Sequence, residues 1–172
     1  MTGPTLVRDL MKVGVATVPP DAALIDITRL MLDKDLEAVV VLNPEDGNAL
    51  GYVSHDEITK AYSQHDGDLE SLKILQASEF MQEGVPQVPP DIPLPAAVQI
   101  MRDLKVRTLF MMHHAGGIEY PAAVLTYAHI LRFLAAKDEA DLKDLGIKAA
   151  RKAPLETFIE RRDEARRRAS KK

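Results

Sequence analysis

The chain of 172 residues reads as an α/β protein built from one β-α-β-β-α unit used twice, with a charged helical extension at its C-terminal end. Three observations predict this. The chain aligns with itself at a fixed offset, each copy carries short all-apolar runs of the length expected for buried strands, and apolar residues recur at helical spacing after a Pro-Pro-Asp sequence in both copies.

At an offset of 70 positions, Gly14-Val15 falls on Gly84-Val85 and Val18-Pro19-Pro20-Asp21 on Val88-Pro89-Pro90-Asp91, while Leu24, Met31 and Asp33 fall on Leu94, Met101 and Asp103. An offset of 72 aligns the ends of the copies, placing Ser54 on Thr126 and Ile58 on Ile130, so the second copy carries two extra loop residues. A unit of about 50 residues is too small to bury its own apolar face well, so the two copies are expected to pack on each other.

Each copy opens with a short extended segment, residues 15–18 and 85–88. The prolines that follow stop the strand, and the aspartate can cap the next helix. In that helix Leu24, Ile27 and Met31 share one face, and Leu94, Ala97, Met101 and Leu104 repeat the spacing. Pro93 and Pro95 fit only the first turn, where backbone donors have no helical partner. Residues 38–42 (Ala-Val-Val-Val-Leu) and 108–112 (Thr-Leu-Phe-Met-Met) are apolar almost throughout, as expected of strands covered on both faces. Residues 43–48 are turn chemistry, and residues 50–53 read as a return strand. The second copy turns through His114-Ala115-Gly116-Gly117 and returns along residues 122–125. Closing helices follow at residues 56–62 and 127–135. Leu69, Leu72 and Leu75 share a helical face in the linker. The predicted division is a first motif over 5–64, a helical linker over 65–76, a second motif over 77–136 and an extension over 137–172 broken near Gly146 and Pro154.

The chain has no cysteine, which excludes disulfides and thiolate metal sites and fits a reducing, cytoplasmic setting. The first ten residues lack the pattern of a secretory signal, and no window approaches the roughly 18 apolar residues of a membrane span. Net charge is −4, unevenly spread: residues 151–172 hold 9 basic and 4 acidic residues, leaving 13 basic and 22 acidic in the rest. An acidic body argues against a nucleic-acid-binding fold; only the basic tail could contact nucleic acid. In that tail Leu155, Phe158 and Ile159 form one apolar spot suited to docking.

Over residues 5–136 the sequence resembles the CBS-pair, or Bateman, family. The resemblance rests on Val7-Arg8-Asp9-Leu10-Met11, Thr17-Val18-Pro19-Pro20-Asp21, the apolar strand at residues 39–42 and Gly51-Tyr52-Val53-Ser54, together with Glu79-Phe80-Met81, Val88-Pro89-Pro90-Asp91 and Val124-Leu125-Thr126 in the second copy. It implies two motifs facing each other across a pseudo-twofold axis with two clefts between them, where family members commonly take AMP, ADP, ATP or S-adenosylmethionine as regulators and not as catalysts. The family pattern at a cleft is a glycine, two apolar residues, Ser or Thr, two variable positions and an aspartate. The hydroxyl and a helix N-terminus receive phosphate, and the aspartate accepts from the ribose. The first copy offers Gly51, Ser54 and Glu57; the second departs further, with Ala123, Thr126 and His129, whose imidazole cannot replace both oxygens of a carboxylate. Thr17, Val18, Ala38 and Val39 are expected around the base, matched by Gln87-Val88 and Thr108-Leu109, and Arg107 is the candidate for a phosphate contact.

Structural alternatives stand beside these roles. Ser54 and Thr126 open helices, where a hydroxyl caps with or without ligand, and Glu57 in a first turn suits the helix dipole. Arg107 reads equally as a surface or interface charge, and His129 as a helix residue titrating near neutrality. Adjacent His113 and His114 read as loop residues and not as a metal pair, and the methionines as core filler. No metal, catalytic residue or obligatory cofactor is expected, since no Gly-x-Ser-x-Gly, P-loop or His-Glu-x-x-His motif occurs. The sequence therefore points to a non-catalytic adenine-nucleotide sensor, expected to be a cytoplasmic homodimer acting on an effector protein that the sequence does not name. The alternatives are a ligand-free dimerisation or scaffold module, or nucleic-acid binding by the basic tail.

Overall fold

A computed structural model describes residues 4–145. The basic tail, with Gly146, Pro154, Leu155, Phe158 and Ile159, lies outside the described residues.

Two small sheets carry the fold. The first joins β2 (Thr17–Val18), β3 (Ala38–Leu42), β4 (Ala49–Ser54) and β5 (Gln82–Glu83) in that order; the second joins β1 (Lys12–Val13), β7 (Ile118–Thr126) and β6 (Thr108–Ala115). Helix α2 (Leu24–Asp33) connects the parallel strands β2 and β3, the crossover that parallel pairing requires. Its counterpart α6 (Leu94–Leu104) leads to β6, which meets residue 87 in a single parallel bridge at Phe110. The predicted extended segment at 85–88 is thus reduced to one bridge.

Strand β3 shows why its residues read as one apolar run. Val39 and Val41 pack with Ile27 and Met31 of α2, while Ala38 and Val40 pack with Tyr52 and Phe110 between the sheets. Alternate side chains enter different cores, so neither face can be polar. The Tyr52 and Phe110 rings stand 5.9 Å apart, one from each half, at the centre of the molecule.

The lead-in segments are exchanged between the halves. Helix α1 (Val7–Leu10) contributes Val7, Leu10 and Met11 to the core of the second half, beside Leu94, Met101, Leu109 and Leu125. Its counterpart α5 (Ala77–Phe80) places Ala77, with Phe80 and Met81 packed alongside, in the core of the first. The short strands that follow do the same: Val13 pairs with Ala123 of β7, and Glu83 with Gly51 of β4. The backbone repeats these contacts, Val7 N–H donating to Ile92 O at 3.0 Å and Ala77 N–H to Ala22 O at 2.8 Å. An Arg8–Asp91 ion pair closes one side.

Helices α3 (His55–Gln64) and α7 (Tyr127–Ala135) follow the return strands, α4 (Leu69–Lys73) forms the linker, and α8 (Glu139–Asp144) begins the extension. Leu72 of α4 is buried against Leu24 and Ala61. The sequence reading differs at the second hairpin. His114 and Ala115 are not turn residues but the end of β6, and His113 lies in the same strand. Ala115 pairs with Ile118 across Gly116 and Gly117 alone, whose φ of 60° and 81° suit the tight hairpin turn that glycine permits. The two extra residues of this copy lengthen a hairpin instead of a loop. His113 then stacks on Tyr120, with ring centroids 5.3 Å apart, and His114 Nε2 lies 3.2 Å from Glu119.

Candidate functional site

The strand exchange builds a cleft of about 510 Å3 from both halves. One wall is the end of β4 and the start of α3, carrying Tyr52, Ser54, Asp56 and Glu57. The other comprises residues 82–86 and 104–108, which hold Arg107 and Thr108. Gly51 explains how β5 reaches this wall. A Cβ on Gly51 would lie 2.2 Å from the Gln82 carbonyl oxygen, so the absence of a side chain lets the second lead-in strand lie against β4. The family pattern offered no reason for this glycine beyond the pattern itself.

Ser54 ends β4 and caps α3, its hydroxyl accepting from the Asp56 N–H at 3.1 Å. The Glu57 carboxylate folds back so that Oε2 accepts from both the Ser54 N–H, at 2.8 Å, and the Ser54 hydroxyl. This is a capping box, which satisfies orphan donors of the first turn reciprocally. Both bonds use Oε2. Arg107 crosses from the opposite half to bring its Nε 3.2 Å from Asp56 Oδ2, the two side chains being 64% and 46% exposed. An exposed pair of this kind contributes little to stability, so the guanidinium is available for exchange onto an incoming anion. Tyr52, lining the same wall, has its hydroxyl pKa pushed up to about 12 by burial, with Glu57 and then Asp56 adding to the shift.

Thr108 was not singled out from the sequence beyond its match to Ala38. It is 2% exposed, and its hydroxyl is the one buried side-chain polar atom among the described residues without a hydrogen-bond partner. An unsatisfied buried hydroxyl costs about 1–3 kcal/mol. No sequence signal distinguishes it from a strand threonine, because its isolation depends on neighbours from both halves.

Of the predicted site residues, the structure brings Ser54, Glu57 and Arg107 to this cleft and leaves the others off its lining. Val18 and Val39 are buried in the core of the first half, and Ala38 in the central cluster. Thr17 pairs with Val40 in the sheet. Thr126 and His129 occupy the equivalent start of α7, where the His129 N–H donates to the Thr126 hydroxyl at 3.4 Å and the Thr126 N–H to His129 Nδ1 at 3.3 Å. A smaller hollow of about 260 Å3 on the far side of Glu57 is lined by residues such as Lys60, His65, Glu79 and Phe80. Among the described residues no group of three or more His, Cys, Asp or Glu could hold a metal ion, and no helix is long and apolar enough to cross a membrane.

Comparison with known proteins agrees with this architecture. No curated protein sequence matches the chain. Among solved structures, a conserved protein from Pyrococcus horikoshii is similar with a TM-score of 0.64 at 17% identity, over 81% of this chain and 98% of that one. The CBS domain pair of protein MJ0100, in complex with 5′-methylthioadenosine and S-adenosyl-L-methionine, gives 0.65 at 15% identity, over 79% and 100%. A hexameric CBS-CP12 protein from bloom-forming cyanobacteria gives 0.63 at 21% identity, over 96% and 88%. At these identities the likeness is one of fold. The sequence model of the CBS domain matches twice, over residues 7–64 and 77–136, the two copies that the internal repeat delimits, and the chain therefore belongs to the CBS domain family as a tandem pair.

Proposed function

We propose that the chain is a non-catalytic regulatory module of the cytoplasm that takes an adenosyl ligand, such as AMP, ADP, ATP or S-adenosylmethionine, in the cleft between Ser54 and Thr108. The observation that carries this reading is the orphaned Thr108 hydroxyl in a cleft that also presents a helix start and a loosely held guanidinium. A polar ligand group would satisfy the hydroxyl, an anion would draw Arg107 from Asp56, and the ribose would meet Glu57. The complex of MJ0100 with two adenosyl compounds supports the ligand class. Tyr62, Leu131 and Leu134 on the closing helices are 68%, 66% and 72% exposed, which supports a homodimer formed through those helices. The ligand would act on an effector protein only through unequal affinity for two conformations.

Isothermal titration with AMP, ATP and S-adenosylmethionine tests the reading, repeated on Thr108→Val and Arg107→Ala. Saturable binding weakened about tenfold or more by each substitution is expected. Thr108→Val should also raise the stability of the free protein by about 1 kcal/mol, since it removes an unsatisfied hydroxyl without changing shape. Opposite signs on stability and on binding separate a ligand contact from a packing role.

A second reading, a ligand-free scaffold, is favoured by the capping box itself, because Ser54 and Glu57 already satisfy each other. No heat with any of the three ligands, from protein shown to be folded and ligand-free, would select it.

A further inference from the structure

The first cleft carries more negative than positive charge. Of its lining residues Asp56, Glu57 and Glu83 are carboxylates, while Lys105 and Arg107 are cations, a net of −1. The Arg107 guanidinium is engaged with Asp56 at 3.2 Å, and Glu57 accepts from the Ser54 N–H and hydroxyl through Oε2 alone. Among the described residues neither Glu83 nor Lys105 enters an ion pair. The Tyr52 hydroxyl is held in its neutral form first by burial and then by Glu57 and Asp56, so these carboxylates already act on a group of the cleft wall.

Glu83 is the carboxylate that the fold does not need. It pairs with Gly51 through the backbone of β5, and its side chain is exposed. The repeat puts Val13 at the same place in β1, where it pairs with Ala123 without a charge. The second half also lacks the guanidinium: the equivalent of Arg107 is Glu37, whose Oε1 accepts from the Thr126 hydroxyl at 2.9 Å. A guanidinium beside a surplus of carboxylates therefore belongs to the first cleft. The Thr108 hydroxyl, 2% exposed and unpartnered, lines the same cleft. It marks a place for a polar ligand group independently of the charges, and the charges decide which ligand.

Resting on the adenosyl reading above, we propose that the first cleft selects a positively charged adenosyl compound, a sulfonium with an amino-acid tail, over phosphate-bearing nucleotides, and that Glu83 sets this preference. Such a ligand brings a sulfonium and an ammonium against one carboxylate. The carboxylate can take the Arg107 guanidinium, and the two cationic groups meet the surplus of Asp56, Glu57 and Glu83. AMP brings about two negative charges and finds one guanidinium among three carboxylates. The walls of a cleft focus such a field. At about 7 Å in water-like surroundings one unit charge changes the affinity for another about threefold. Ligands about three charges apart then differ about twentyfold, of which screening by salt leaves about tenfold.

The test is isothermal titration of the full chain with S-adenosylmethionine, S-adenosylhomocysteine and AMP, repeated on Glu83→Gln, Glu83→Lys and Thr108→Val. The isotherm weakened by Thr108→Val is that of the first cleft. There the parent is expected to bind S-adenosylmethionine at least about tenfold more tightly than AMP. It should also prefer it about threefold over S-adenosylhomocysteine, the same ligand without the S-methyl group and its positive charge. Glu83→Gln should shift the ratio of the S-adenosylmethionine and AMP affinities about tenfold toward AMP, and Glu83→Lys about a hundredfold, while both variants keep the circular dichroism of the parent. AMP bound as tightly as S-adenosylmethionine would overturn the preference and leave the adenosyl reading standing, as would a ratio unmoved in folded Glu83→Lys. Binding untouched by Thr108→Val would put the ligand outside this cleft and overturn it too. No binding of any of the three, by folded and ligand-free protein, would remove the adenosyl reading itself and the preference with it.

Discussion

Gly51→Ala is the sharpest available test of how the halves are joined. The new methyl would stand 2.2 Å from the Gln82 carbonyl oxygen and 3.1 Å from its carbon, so contact must be relieved by moving backbone by about 1 Å, since neither group can rotate away. The movement falls on β5, held to β4 through the Gly51–Glu83 and Tyr52–Gln82 pairs and through the Gly84 N–H bond to Leu50 O at 3.0 Å. Losing two such bonds at about 1 kcal/mol each, with some strain, gives a destabilisation of about 2–3 kcal/mol. For a domain of this size that lowers Tm by about 6–9 °C, readable by thermal or urea denaturation followed by circular dichroism. The equivalent residue Ala123 is fully buried with its methyl already accommodated, so Ala123→Gly should cost only about 1 kcal/mol, as a lost methyl and a freer unfolded chain. A Gly51→Ala protein within about 0.5 kcal/mol of the parent would refute the argument, because it would mean that β5 is not held where the ladder places it.

Further outcomes follow from the same contacts. Leu10→Ala should cost about 3 kcal/mol in urea unfolding, because the residue is 4% exposed and sits in the core of the second half; a loss under about 1 kcal/mol would mean that α1 does not dock there. Ser54→Ala should cost about 1 kcal/mol through the lost cap, even with no ligand present. Tyr52 gives a pH dependence. Its folded pKa, about 12, lies above the ordinary value of 10.0, so its contribution is complete below about pH 10 and is lost as pH rises toward 12, because the unfolded chain ionises first. The slope is at most about 1.4 kcal/mol per pH unit. Comparing the alkaline limb of stability in Tyr52→Phe with that of the parent checks it, since the variant should lack this share of the fall.

The repeat and the helix faces were legible because they rest on period and spacing. Leu24, Ile27 and Met31 are buried as read, and so are Leu94, Ala97 and Met101. Leu104, on the same stripe, is 54% exposed, since it ends α6 where the chain swings away at Lys105. The exchange of β1 and β5 was not legible: two-residue strands have no periodicity, and both are exposed along their side chains. The same limit hid the first cleft's composition. Ser54, Glu57 and Arg107 could be named singly, but Thr108 becomes unusual only once the two halves come together and its hydroxyl is buried without a partner. Glu37 passed unremarked because a carboxylate before a strand looks like surface charge until its bond to Thr126 is seen.

The reciprocal lead-ins also bear on the order in which a growing chain can fold. Arg8 and Asp91 lie 83 positions apart, and Val13 finds its partner only at Ala123. During synthesis the earliest segment must wait, its apolar Val7, Leu10 and Met11 uncovered, while the first half can complete its own core as soon as residues 77–83 have emerged. The second half then closes last around residues made first. Because contacts between distant positions are slow to form, this final closure is expected to govern the folding rate, and Leu10→Ala should slow refolding only to the extent that the N-terminal segment is docked in the transition state.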